Sequence, residues 1–171
     1  MRNALLVIDV QEDFVNKSTK RIPIKIRDFL KTHKFDYVFF FKFVNDKKSN
    51  WEKVFKWGKM LKDSETKIVP ELKLFLRKNN VFIKNAAFSV FTVKKFNNCL
   101  KKNKIKKLFM CGFDTHACVL ASALEAFSKG FDVKVIEDLC GASHGESYHK
   151  SAINILKVNL GRSTVIKSKN L

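Results

Sequence analysis

Apolar positions gather into six short runs, each closed by polar or turn residues, and the runs alternate with stretches of helical spacing. Ala4–Asp9, Tyr37–Phe43, Val81–Lys84, Lys107–Gly112, Asp132–Ile136 and Thr164–Lys167 read as strands; the second is aromatic and β-branched almost throughout. Pro23 opens a short helix to about His33, because proline fits a first helical turn. Further helical pieces are predicted over Pro70–Lys78, Thr92–Lys102 and Ala117–Lys129. Apolar residues cover nearly every face of the last, so it should be buried, and Gly130 ends it. Ser143-His-Gly-Glu146 has the spacing of a capping box that opens a helix ending at Gly161. Between Val44 and Val69 the periodicity is weak, and that stretch holds both tryptophans, Trp51 and Trp57. A short helix from Asn50 to Trp57 fits there, and a connection this long implies a function or an unrecognised element.

Strands alternating with helices predict an α/β fold: a three-layer α-β-α sandwich around a roughly six-stranded, mainly parallel sheet covered on both faces. No repeat, low-complexity tract or linker interrupts residues 1–171, so a single domain is expected.

That architecture gives meaning to three side chains far apart in sequence. Asp9 and Lys84 each close an apolar run, and Cys118 follows the Lys107–Gly112 run at the mouth of an apolar helix. In an open parallel sheet the carboxyl ends of the strands form the edge where ligands bind. An acid, a base and a thiol on one edge are the parts of a cysteine hydrolase. A thiol at a helix N-terminus feels the positive end of the helix dipole, and a neighbouring lysine adds to it, so a thiolate at Cys118 is expected. Asp9 is placed to accept the thiol proton and shuttle it to a leaving group. Amides in the turn around Asp114 and Cys118 are the candidate oxyanion hole.

Composition narrows the picture without redirecting it. Apolar residues make up 46% of the chain, enough for a packed core. No apolar run approaches the roughly 18–20 residues of a membrane span, and the N-terminal run meets Asp9, Glu12 and Asp13 too soon for a signal peptide. A cytoplasmic protein with no membrane association is therefore expected. Four cysteines (99, 111, 118 and 140) show no CxxC spacing and read as reduced thiols, Cys99 and Cys111 as core filler and Cys140 in a loop beyond a strand. The net charge of +18 raises nucleic acid as a partner. The lysines are dispersed, however, and the one dense cluster (Lys101, Lys102, Lys104, Lys106 and Lys107) lies at the sheet edge opposite Asp9 and Cys118. A solvated surface is the better reading, with a bias toward anionic substrates.

The chain resembles the isochorismatase-like cysteine hydrolases from about Ala4 to Ile166. The resemblance rests on Leu6-Val-Ile-Asp9-Val-Gln11-Glu-Asp13-Phe14, on Ile68-Val-Pro70-Glu-Leu72, and on Lys84-Asn-Ala-Ala-Phe88-Ser-Val-Phe91. Cys111-Gly-Phe-Asp114-Thr-His116-Ala-Cys118-Val119 and Val133-Lys-Val-Ile-Glu-Asp138 follow, with His149 in the closing helix. It implies an isochorismatase-like, Rossmann-like fold and a triad of nucleophile Cys118, base Asp9 and charge partner Lys84. It also implies a cis peptide at Phe113–Asp114 that would turn the Asp114 amide toward the substrate carbonyl. The implied reaction is attack on a small amide, release of ammonia or an amine, and hydrolysis of a thioester, with no cofactor and a homo-oligomeric assembly. Nicotinamidases of this family bind a metal through an Asp-x-His and a further His after the second strand. Here Phe43-Val-Asn-Asp46-Lys-Lys-Ser-Asn stands there, with no histidine between His33 and His116, so no metal is expected.

Two other readings stay open: hydrolysis of a vinyl ether, as in isochorismatases, and a basic binding protein that kept the scaffold without activity. Phe14, Phe88 and Trp51 are the candidate pocket walls, the two phenylalanines because each closely follows a triad strand. His116, two positions before Cys118, is not expected to act as its base. His144 and His149 are read as capping or packing, and Asp138 as structural.

Overall fold

The computed structural model describes Met1–Leu171. Its strands are β1 (Arg2–Ile8), β2 (Tyr37–Val44), β3 (Val81–Asn85), β4 (Ile105–Gly112), β5 (Asp132–Cys140) and β6 (Val165–Ile166). The helices are α1 (Ile22–Thr32), α2 (Asn50–Lys53), α3 (Lys94–Lys102), α4 (Leu120–Ser128) and α5 (Glu146–Leu160). All six strands join one sheet in the order β3-β2-β1-β4-β5-β6, and every pairing is parallel. The α/β sandwich predicted from the alternation is what forms. Ala4–Ile8 in central β1 are all buried, as a strand covered on both faces requires.

The strand order reverses between β1 and β4. In a doubly wound sheet that reversal opens a crevice at the carboxyl ends of the two strands. Gly112 lets those ends close up: it sits at φ +116°, and a Cβ there would lie 2.1 Å from the Ile8 carbonyl oxygen. The next residue, Phe113, donates its N–H to that oxygen at 2.8 Å.

Several expectations are corrected. Every peptide bond is trans, Phe113–Asp114 included; the positive φ of Gly112 makes the reversal there. The 50–57 helix is a single turn, α2, capped by Ser49 and followed by Lys56 in the left-handed region at φ 53°. β5 runs four residues beyond Ile136, past an irregularity in its pairing with β4, so Cys140 is a buried strand residue and not in a loop. Helix α4 is covered on fewer faces than expected, since Phe127 is 51% exposed. The capping box does not form, because α5 starts from Gly145 with no side-chain cap and Ser143 is committed elsewhere, as described below. No helix is long and apolar enough to cross a membrane.

Candidate active site

Asp9 is the first residue past β1, at φ 51°. A side chain in the left-handed region is uncommon, and such strain concentrates at functional sites. The Asp9 amide donates to Phe41 O (3.1 Å) and its carbonyl accepts from Gln11 N–H (2.8 Å), so β2 and the following turn fix the carboxylate. Lys84 lies on β3, opposite Phe43 of β2. Side chains alternate across a strand, and here Phe82 and Lys84 face inward while Ile83 faces out. A lysine thus occupies a core position.

Its ammonium donates to the carbonyls of Ala87 (2.9 Å) and Phe88 (3.0 Å) and lies 2.7 Å from Asp9 Oδ2. It also stands over the Phe43 ring, 5.6 Å from its centroid. The contact with Asp9 is a short ion pair, and the Asp9 carboxylate also meets the Cys118 thiol. Both charges are fully buried. Asp9 is therefore a desolvated carboxylate whose partners are Lys84 and Cys118.

Cys118 sits on a π-helical turn, Thr115–Val119, that runs into α4. Its wide hydrogen bond joins Val119 N–H to Asp114 O at 3.1 Å; such turns recur at functional sites. Three contacts hold the turn in place. Thr115 N–H donates to Gly141 O (2.9 Å), the Thr115 hydroxyl pairs with His149 Nδ1 of α5 (2.8 Å), and the Asp114 carboxylate accepts from Ser143 N–H (2.7 Å) and Oγ–H (2.6 Å). The Asp114 N–H donates to no protein acceptor.

Burial raises the Asp9 pKa, and the Lys84 charge only partly opposes it. Burial would lower Lys84, but the charges of Asp9 and Cys118 outweigh it and hold the ammonium protonated. For Cys118 burial is again the largest influence, the Asp9 charge adds to it, and Lys84 fails to offset them, so the thiol is pushed well above its ordinary value. The thiolate expected from the helix end does not form at rest; the dipole acts on a thiol that is already desolvated beside an anion. Burial thus favours the neutral thiol at Cys118, beside the Asp9–Lys84 contact.

Asp9 and Cys118 open onto a cavity of about 620 Å3, within the usual size of small-molecule sites. Lys84 lies behind Asp9 and does not line it. Phe14, Trp51 and Phe88 all line it, together with Phe43, Phe55 and Trp57. Trp51 contacts Phe88 (4.7 Å between centroids), Phe43 (5.3 Å) and Trp57 (5.8 Å). The 44–69 segment is thus the aromatic wall. Its lining carboxylates are Asp9, Asp13 and Asp114 against one lysine, Lys59, so the cavity does not share the sign of the whole chain.

Several residues that the sequence reading left outside the triad take defined places. Gln11 is fully buried: its amide donates to Phe43 O (3.0 Å) and Thr66 O (2.8 Å) and accepts from Phe43 N–H (2.7 Å). It joins β2 to the aromatic segment. His116, on the π-helical turn, and His144, in the loop before α5, meet Asp114 at the cavity, with donor atoms within 4.8 Å of one another. The Asp114-x-His116 spacing was a visible signal; His144 was not connectable to it without the fold. Asp138 accepts from Ser168 N–H (2.8 Å) and Oγ–H (2.5 Å), tying β5 to the last turn.

The isochorismatase domain model matches residues 3–168. The chain belongs to the isochorismatase family. Members of this family are hydrolases. A curated relative, the secreted isochorismatase effector Isc1 of Phytophthora sojae, is 41% identical over 46 residues, which is 27% of this chain and 21% of that protein. The aligned part thus spans about a fifth of that relative. An isochorismatase-like hydrolase from Alkaliphilus metalliredigens superposes with a TM-score of 0.82 at 19% identity, covering 99% of this chain and 97% of the other. N-carbamoylsarcosine amidase from Thermoplasma acidophilum superposes at 0.80 with 18% identity, covering 100% and 99%. At such identities these likenesses establish the fold of this isochorismatase-family chain.

Proposed function

We propose that this protein is a cysteine hydrolase of small amides, with Cys118 as nucleophile, Asp9 as general base and Lys84 as its charge partner. The observation that carries the reading is the buried Asp9–Lys84 ion pair with the Cys118 thiol in hydrogen-bonding contact with Asp9. A carboxylate desolvated in this way is a stronger base than one in water, and Cys118 is the nucleophile within its reach. The thiol proton passes to Asp9 as Sγ attacks the carbonyl carbon. The unused Asp114 N–H and the Cys118 N–H are the donors for the developing oxyanion. Asp9 then protonates the departing amine, and a thioester remains on Cys118. Asp9, again a carboxylate, takes a proton from water, which attacks the thioester and frees the acid, and Asp9 returns that proton to the departing Cys118 sulfur. Lys84 favours the ionised form of Asp9 against its burial between these proton transfers. Nucleophile, base and charge partner are all side chains, so no bond-making step calls on a metal.

The aromatic wall favours a substrate with a flat or apolar body, because offset and edge contacts with aromatic rings hold such a group. A fold shared with N-carbamoylsarcosine amidase supports amide over vinyl ether chemistry. The test is ammonia release from a panel of small primary amides. Wild-type protein should turn over at least one of them, and Cys118→Ala should fold normally and release none. Turnover that survives in Cys118→Ala would end the reading. So would hydrolysis confined to vinyl ethers.

A further inference from the structure

Asp114, His116 and His144 all line the cavity, each offering one donor atom, all within 4.8 Å of one another. We infer that they form a binding site for a divalent transition-metal ion of the zinc class, with its remaining coordination position open to the cavity. The donor set, two imidazoles and one carboxylate, suits borderline metals more than magnesium or calcium, which prefer all-oxygen sites. Three protein ligands with a fourth position open is the arrangement of zinc sites that bind an exchangeable ligand.

Two independent observations support it. His116 Nδ1 is buried and has no hydrogen-bond partner; a buried ring nitrogen is left without a partner only at a cost, and a metal bond would satisfy it. The Asp114 carboxylate is oriented by both the amide and the hydroxyl of Ser143, at 2.7 and 2.6 Å. Such outer contacts fix a ligand and tune its affinity.

The spacing is compatible with metal entry. Metal–ligand bonds of about 2.0–2.2 Å in a tetrahedron hold donor atoms roughly 3.4 Å apart, so a pair at the 4.8 Å limit must close by about 1.4 Å. His144 is exposed; its ring packs edge-on against His116 (centroids 5.1 Å, planes at 79°) and obliquely against Tyr148 (5.6 Å), and its Nδ1 makes a long contact with Ser143 Oγ (3.4 Å). It is free to supply that movement, while the π-helical turn holds Asp114 and His116.

The ion would share the cavity with Cys118, whose π-helical turn also carries His116. Its open position would take an oxygen or nitrogen lone pair of the bound molecule and orient it toward the thiol. This positioning role rests on the amidase reading; the binding of metal does not.

The experiment is zinc binding to metal-stripped full-length protein by calorimetry, with bound metal per chain measured after dialysis. The expected result is one zinc per chain. His144→Gln and His116→Gln should each weaken binding by more than tenfold, and Ser143→Ala by about 10–100-fold at most. His144→Gln changes an exposed side chain, so its fold and melting temperature should be those of wild type. Cys118→Ser separates the two proposals: it should abolish hydrolysis and keep the zinc. Zinc lost in Cys118→Ser but retained in His144→Gln would place the ion on the thiol and overturn the inference. Failure to bind at all would also overturn it, whatever the amidase assay shows.

Discussion

The cavity has two walls built on opposite physical terms. One is the carboxyl edge of the sheet, where Asp9, Lys84 and the Cys118 turn are buried among strand ends and joined by short polar contacts. The other is the 44–69 segment, an aromatic surface with one helical turn, hung on the sheet by Gln11 and by Asn45, whose amide donates to Trp57 O and Lys59 O. The first wall is fixed by hydrogen bonds and ion pairing among buried groups. The second is held by apolar contact and a few carbonyls, and Phe55 and Phe88 remain well exposed. On the proposed reading, chemistry belongs to the charged wall and the choice of substrate to the aromatic one.

If that division holds, substitutions in the two walls should fail differently. Asp9→Asn keeps the shape and removes the base, so kcat for amide hydrolysis should fall on the order of 10²–10⁴-fold with little change in KM; steady-state kinetics reads this directly.

Lys84→Met should cost about 3–5 kcal/mol of stability at neutral pH, because it leaves a buried carboxylate without its partner. Urea denaturation checks it, and the loss should shrink as pH falls and Asp9 takes up a proton. The same variant has a signature in any residual activity. Burial already raises the Asp9 pKa and the Lys84 charge restrains it. Removing the lysine should move the acid limb of the kcat/KM profile to higher pH still.

Gln11→Leu breaks the tie between the walls. Three buried hydrogen bonds are lost, and the Phe43 N–H and two carbonyls are left unpaired. A loss of about 1–3 kcal/mol is expected, with the 44–69 amides showing faster hydrogen exchange while β1 and β4 stay protected. Trp51→Ala should have the smallest effect: KM up by about 5–10-fold, consistent with roughly 1–1.5 kcal/mol of ring contact, and kcat and melting temperature nearly unchanged.

The same contrast explains what could be read from the chain alone. Asp9 and Lys84 were legible because strand ends leave a mark in sequence: an apolar run that stops at a charge. Cys118 was legible because a thiol stood between a strand and an apolar helix. The sheet followed from the alternation of runs. The aromatic wall left no such mark, since α2 is one turn long and the rest is placed by Gln11 and Asn45, which hydrogen-bond carbonyls rather than following any period. The ionisation of Cys118 was misjudged because the helix end was visible in sequence and the burial beside Asp9 was not. Ser143 fits a capping box by spacing, yet its hydroxyl goes to Asp114, a partner 29 positions away that only the fold brings near.

The account rests most on Asp9, Lys84 and Cys118 acting as one electrostatic unit, and alkylation of Cys118 across pH tests this most directly. Peptide mapping with half-buried Cys99 and buried Cys111 and Cys140 as internal controls isolates the thiol. In wild type, Cys118 should ionise above the ordinary value of about 8.5. Asp9→Asn removes the charge that raises it, so alkylation at neutral pH should become faster. Lys84→Met removes the charge that lowers it, so alkylation should become slower. Opposite shifts in the two variants are the predicted result; a Cys118 that titrates at its ordinary value in all three proteins would contradict the account.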